Sequence, residues 1–119
     1  MEVSLSQLVD ARPALARLMS QPAPAPLAFS LTRVAKAVEA ELDTYDETRL
    51  KLCRCHGMLV KEETHFEFTP ENRAAFDVEY QALVQTSLNL PVNGLKLDAL
   101  GGLQISAADL MRLSWLITE

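Results

Sequence analysis

The residues with the most chemical potential stand together at Cys53-Arg54-Cys55-His56, followed nine residues later by His65. Thiolates and imidazoles are the ligand types of tetrahedral zinc, and a hairpin after His56 would fold His65 back toward it. The spacing opposes that reading. Structural zinc sites usually offer ligand pairs separated by two to four residues, and here a single residue separates the thiols. On a helix Cys53 and Cys55 point roughly 200° apart, so they converge only where the helix has unwound. The plainer expectation puts Cys53 in the core and Cys55 near the surface with the two histidines. Cys55 and His65 also have the types of a nucleophile and its base, but no third group stands where it would orient the histidine.

Other reactive patterns are thinner. Glu39 with Asp43, or Glu62 with Glu67, have the residue types for acid–base work, although charges on a helix face or hairpin turn are ordinarily just solvated. The four glycines form no GxxxxGK or GxGxxG, so no phosphate cradle is encoded. Phe66 and Phe68 have few basic neighbours and read as core residues rather than base-stacking aromatics. Trp115 reads either as core or as an aromatic anchor on a partner surface. No catalytic residue and no cofactor follow from these patterns.

The elements that must position these groups come from composition and periodicity. With 119 residues, 49% of them hydrophobic, the chain is expected to form one domain over 1–119 with a modest core. A formal net charge of −5 makes nucleic acid an improbable partner. No apolar run approaches the roughly 20 residues of a membrane-spanning helix. The first residues lack the basic-then-apolar order of a secretory signal. The only two cysteines are too close to bridge without strain, which favours a reducing, cytoplasmic setting.

Along the chain, Asp10 is expected to cap a short helix over 11–20, with Pro13 in its first turn and residues 3–9 extended or forming a separate turn. QPAPAPL (21–27) reads as a polyproline-like internal connector. A long helix from Ser30 to Cys55 follows, stopped by Gly57. Its apolar seam is Leu31, Ala35, Val38, Leu42, Tyr45 and Leu52. Met58 to Phe68 alternates as a hairpin with KEET at its turn. Thr69-Pro70-Glu71 starts a second helix, with Ala75, Phe76, Tyr80, Leu83 and Val84 facing inward to about Leu88. Val92 to Leu100 reads as an extended segment able to add to the hairpin. Gly101-Gly102 makes a turn, and Ser106 caps a last helix packed by Leu110, Leu113, Leu116 and Ile117. Asp109 imitates the second half of a capping box.

The order ALARLMSQPAPAPLAFSLTRVAKAVEAELDTYDETRLKLCRCHG, FTPENRAAFDVEYQALVQTSLNL, LKLDAL and ISAADLMRLSWLI resembles small uncharacterised proteins encoded by tailed bacteriophages and prophages. The matching residues are Glu47, Arg49, Leu52, Gly57, Phe76, Glu79, Leu83, Ile105, Asp109 and Leu110. The PAPAP connector and the CRCH segment depart from that pattern. The resemblance carries over no catalytic residue. It implies a phage accessory or virion-assembly protein that acts by contact, in the host cytoplasm or in the virion.

The expected architecture is α+β: an antiparallel pair of long helices with a β-hairpin at its tip, a short N-terminal helix, and a C-terminal strand and helix. The expected function is non-enzymatic protein–protein contact, with the hairpin tip (Lys61, Glu62, Glu63, Thr64, His65) and Trp115 as its surface. Apolar surface left uncovered by two helices makes a homo-oligomer a further expectation. Two rival readings have their own markers. A phage-encoded inhibitor or regulator of a host defence or transcription complex would dock through the acidic face from Glu39 to Glu47. A small metal-binding protein would use Cys53, Cys55, His56 and His65.

Overall fold

The computed structural model describes residues 1–60 and 65–118. It is α+β, with a long central helix flanked by shorter helices and three two-stranded sheets. The expected turn residues Lys61, Glu62, Glu63 and Thr64 lie outside the described residues.

The chain opens with β1 (Glu2–Ser4) and enters α1 (Leu5–Met19). Helix α1 therefore starts six residues earlier than the proline suggested. The reason is a capping box: the Ser4 hydroxyl accepts from the Gln7 N–H, and the Gln7 side-chain oxygen accepts from the Ser4 N–H. Pro13 then falls inside the helix, on its exposed side. Leu5, Leu8, Ala11, Ala14, Leu15 and Leu18 form a buried stripe at steps of three and four. That stripe overrides the local penalty of the proline.

Helix α2 (Ala25–His56) also begins before its expected start. Only residues 21–24 of the proline-rich connector lie outside it. Pro26 sits in the first turn, where no intrahelical N–H is lost, and Leu27 is already buried. At 32 residues this helix should run about 48 Å, which accounts for the molecule's long dimension of 49 Å. Its buried face is Leu27, Leu31, Val34, Val38, Leu42, Tyr45 and Cys53. Ala35 and Leu52, expected on the seam, are only half-buried. Helices α1 and α3 (Pro70–Val84) both pack on α2, and each is 15 residues long. The N-terminal helix is thus as substantial as the one expected to pair with α2.

The C-cap of α2 is Gly57, whose N–H donates to the Cys53 carbonyl. Its backbone is extended, so the glycine is required by space. A Cβ there would stand 2.9 Å from the Cys53 oxygen and 3.1 Å from the Phe68 ring. Strands β2 (Met58–Val60) and β3 (His65–Glu67) follow, paired antiparallel with Leu59 opposite Phe66. Thr69 caps α3 by accepting from the Asn72 N–H. Of the inward positions expected there, Phe76 and Val84 are buried, Tyr80 and Leu83 half-buried, and Ala75 exposed.

After α3 the chain departs from expectation. Strand β4 (Ser87–Asn89) pairs antiparallel with β1, placing Val3 opposite Leu88. Strand β5 (Leu95–Lys96) pairs in parallel with β6 (Ile117–Thr118). Among the described residues neither joins the hairpin. Residues Leu97–Leu100 form a 3-10 turn, and α4 (Ala107–Arg112) precedes β6. Leu113 and Leu116 are fully buried, whereas Leu110 is exposed. The main core joins α1, the first two-thirds of α2, Leu90, Leu95, Leu100, Leu113 and Leu116. Each fully buried leucine contributes roughly 1.5–3 kcal/mol over an exposed one.

Candidate functional site

Asp109 is the one buried charged residue among the described residues, 5% exposed. Its position follows from the α4 cap, where the Ser106 hydroxyl accepts from the Asp109 N–H at 3.1 Å. A full capping box would turn the carboxylate back toward the Ser106 N–H. It turns instead toward α1. Arg17 Nε donates to Asp109 Oδ2 at 2.7 Å and Arg17 Nη2 to Oδ1 at 2.5 Å, a bidentate pair. Arg112 Nη1, one turn along α4, donates to the same Oδ1 at 3.1 Å.

These groups line a broad cleft of about 700 Å³ with Ser20, Gln21, Gln104, Ile105 and Ser106. Its rim is tied across the chain by a two-way amide contact. Gln21 Nε2 donates to the Gln104 carbonyl at 2.6 Å, and the Gln104 N–H donates to Gln21 Oε1 at 2.9 Å. The hydrogen bonds from Arg17 hold the Asp109 carboxyl below the usual carboxylate range, against the opposing effect of desolvation. The carboxylate is therefore charged at neutral pH and fixes both guanidiniums.

A smaller cleft of about 130 Å³ lies between Ser30, Arg33 and Val34 of α2 and the segment from Pro91 to Leu95. Beside it Phe29 stands 66% exposed, with the Arg33 guanidinium 5.9 Å from its ring centroid.

The residues singled out from sequence are distributed differently. Cys53 is buried and Cys55 exposed. His56 Nε2 lies 2.6 Å from Glu79 Oε2 on α3. His65 is on β3. Among the described residues no three His, Cys, Asp or Glu side chains gather as a metal site. Glu39 and Asp46, on one face of α2, both receive Arg12 of α1, at 3.4 and 3.2 Å. Part of the acidic face is thus tied to the neighbouring helix. Trp115 is half-buried against the main core, and its indole Nε1 is shielded from solvent with no acceptor among the described residues.

Sequence inspection missed Arg17, Asp109 and Arg112 as a group because 92 positions separate the first two. The available signal is Asp109 itself, an acid next to Leu110 in the segment that goes on to bury Leu113 and Leu116. It invited a capping explanation instead. Comparison with protein-family models, with curated proteins and with solved structures gives no significant match to the chain. No helix is long and apolar enough to cross a membrane among the described residues.

Proposed function

We propose that the chain works by protein–protein contact, as an accessory or assembly protein of a tailed bacteriophage, with a particle protein as its partner. The observation that carries the contact reading is the exposed Phe29 held against Arg33, a residue that also lines the smaller cleft. Aromatic residues and arginine are the types enriched at the centres of interfaces, because they combine large apolar area with directional polar groups. An exposed phenylalanine gains most from being covered, by roughly 25 cal/mol for each Å² removed from water. The phage assignment rests on the resemblance of the sequence.

A tagged full-length chain, recovered from phage-producing cells, should bring down capsid or tail proteins identified by mass spectrometry. Phe29→Asp should abolish that recovery while leaving the circular dichroism and melting temperature unchanged, since the side chain is largely in solvent. Recovery of a host defence or transcription complex instead would overturn the particle assignment. Equal recovery with Phe29→Asp would overturn this surface.

A further inference from the structure

We propose that the cleft between α1 and α4 is a binding site for an oxyanion, a phosphate or carboxylate group of a small ligand, held between the guanidiniums of Arg17 and Arg112. This inference is independent of the contact surface at Phe29.

Three features of the geometry point to it. The first is charge. Asp109 and Arg17 already form a complete, bidentate, neutral pair. Arg112 adds a second cation through one nitrogen to an oxygen that Arg17 also uses. The cluster therefore carries one net positive charge inside a cleft, on a chain whose formal net charge is −5. Asp109 offsets one of the two cations, and the charge left over attracts an anion.

The second is unused hydrogen-bonding capacity. Each guanidinium has five N–H donors in a planar fork. Arg17 spends two on Asp109 and Arg112 one, and both side chains remain about half exposed, at 56% and 45%. Arg17 Nη2 and Arg112 Nη1 both bond Asp109 Oδ1, so the two guanidiniums converge on one point of the cleft. The Ser106 hydroxyl lines the same cleft, and its oxygen accepts from the Asp109 N–H, leaving its proton available to donate.

The third is preorganisation. Free arginines lose much side-chain freedom when they clamp a ligand, which weakens most surface sites. Here the buried carboxylate has already ordered both. The Gln21–Gln104 tie fixes the facing rim. The cleft is shallow and open to solvent, so it admits more than a bare ion, and half-buried Ile105 borders it.

The test is an NMR titration of the full chain with sodium phosphate and, separately, sodium acetate, at fixed ionic strength, following the arginine side-chain and 104–112 backbone signals. Saturable shifts confined to these residues are expected, with a dissociation constant of about 1 mM or tighter for one of the two anions. Phosphate saturating alone identifies a phosphate site, and acetate saturating alone a carboxylate site. Arg112→Gln keeps the Arg17–Asp109 pair and should weaken binding about tenfold with the spectrum otherwise folded. Should that variant unfold, Arg112→Lys, which keeps the charge and loses the fork, is expected to weaken binding of the same anion. Shifts linear in concentration for both anions, or binding unchanged in the folded variants, would overturn the proposal and leave the cluster as a tie between helices.

Discussion

Asp109 decides how α4 is attached. It is buried, it receives three hydrogen bonds from two arginines, and those bonds hold its carboxyl below the ordinary value. A carboxyl whose folded value is depressed stabilises the fold above its unfolded value, near 3.9, and loses that contribution as pH falls through the folded value. Asp109→Asn should therefore lower the melting temperature at pH 7 and flatten the loss of stability as pH falls below about 4. A control at exposed Asp98 should do neither. If thermal melts across that range show the same slope for Asp109→Asn and the native chain, the buried pair does not govern acid sensitivity. By its local pattern Asp109 is legible as a helix-start residue. Its partner Arg17 becomes apparent once α1 and α4 are packed together, because no local pattern encodes a pairing across 92 residues.

At the scale of elements, the strongest local signals were legible and the weaker ones were overridden by packing. Thr69-Pro70 and Ser106 cap helices as their residue types require. Within the alternating segment, Met58–Val60 and His65–Glu67 pair antiparallel. The starts of α1 and α2 differ from expectation, for one physical reason. Proline was weighed as a breaker, whereas Pro26 occupies a first turn and Pro13 is carried by a helix capped at Ser4 and buried on its opposite face. The two-residue strands β5 and β6 left almost no periodic trace, since a pair so short has a single alternation. Pro13 also yields a sharp expectation. It is exposed and cannot donate to the Val9 carbonyl, so Pro13→Ala restores one helical hydrogen bond without disturbing the core. It should stabilise the chain by about 1–3 kcal/mol in urea unfolding. A destabilised variant would mean that the proline shapes α1 to fit α2, and that the fold depends on this shape.

At the scale of the whole molecule, two packed regions share the long α2 helix, and the two tyrosines join them. Tyr45 belongs to the main core, and its hydroxyl lies 2.6 Å from that of Tyr80 on α3. Tyr80 stacks on Phe76 with ring centroids 5.7 Å apart, and Phe76 tilts against Phe68 at 4.9 Å, beside the close approach of Gly57. This aromatic run carries packing from the middle of α2 to Phe68, next to the β2–β3 pair, so its first link couples the two regions. Burial, then the hydrogen bond with Tyr80, pushes the Tyr45 hydroxyl well above the ordinary tyrosine value. The neutral form is therefore the one the fold favours. Its contribution is fully present below the unfolded value, near 10, and is lost as pH rises through the raised folded value. Stability of the native chain should fall steeply above about pH 10, with Tyr45 ionising only as the chain opens. Tyr45→Phe keeps the ring and removes the proton, so its alkaline limb should be shallower. Tyrosinate absorbance followed alongside circular dichroism checks this: a Tyr45 signal, identified by its loss in Tyr45→Phe, that ionises before any loss of helix would show that the contact does not couple the regions.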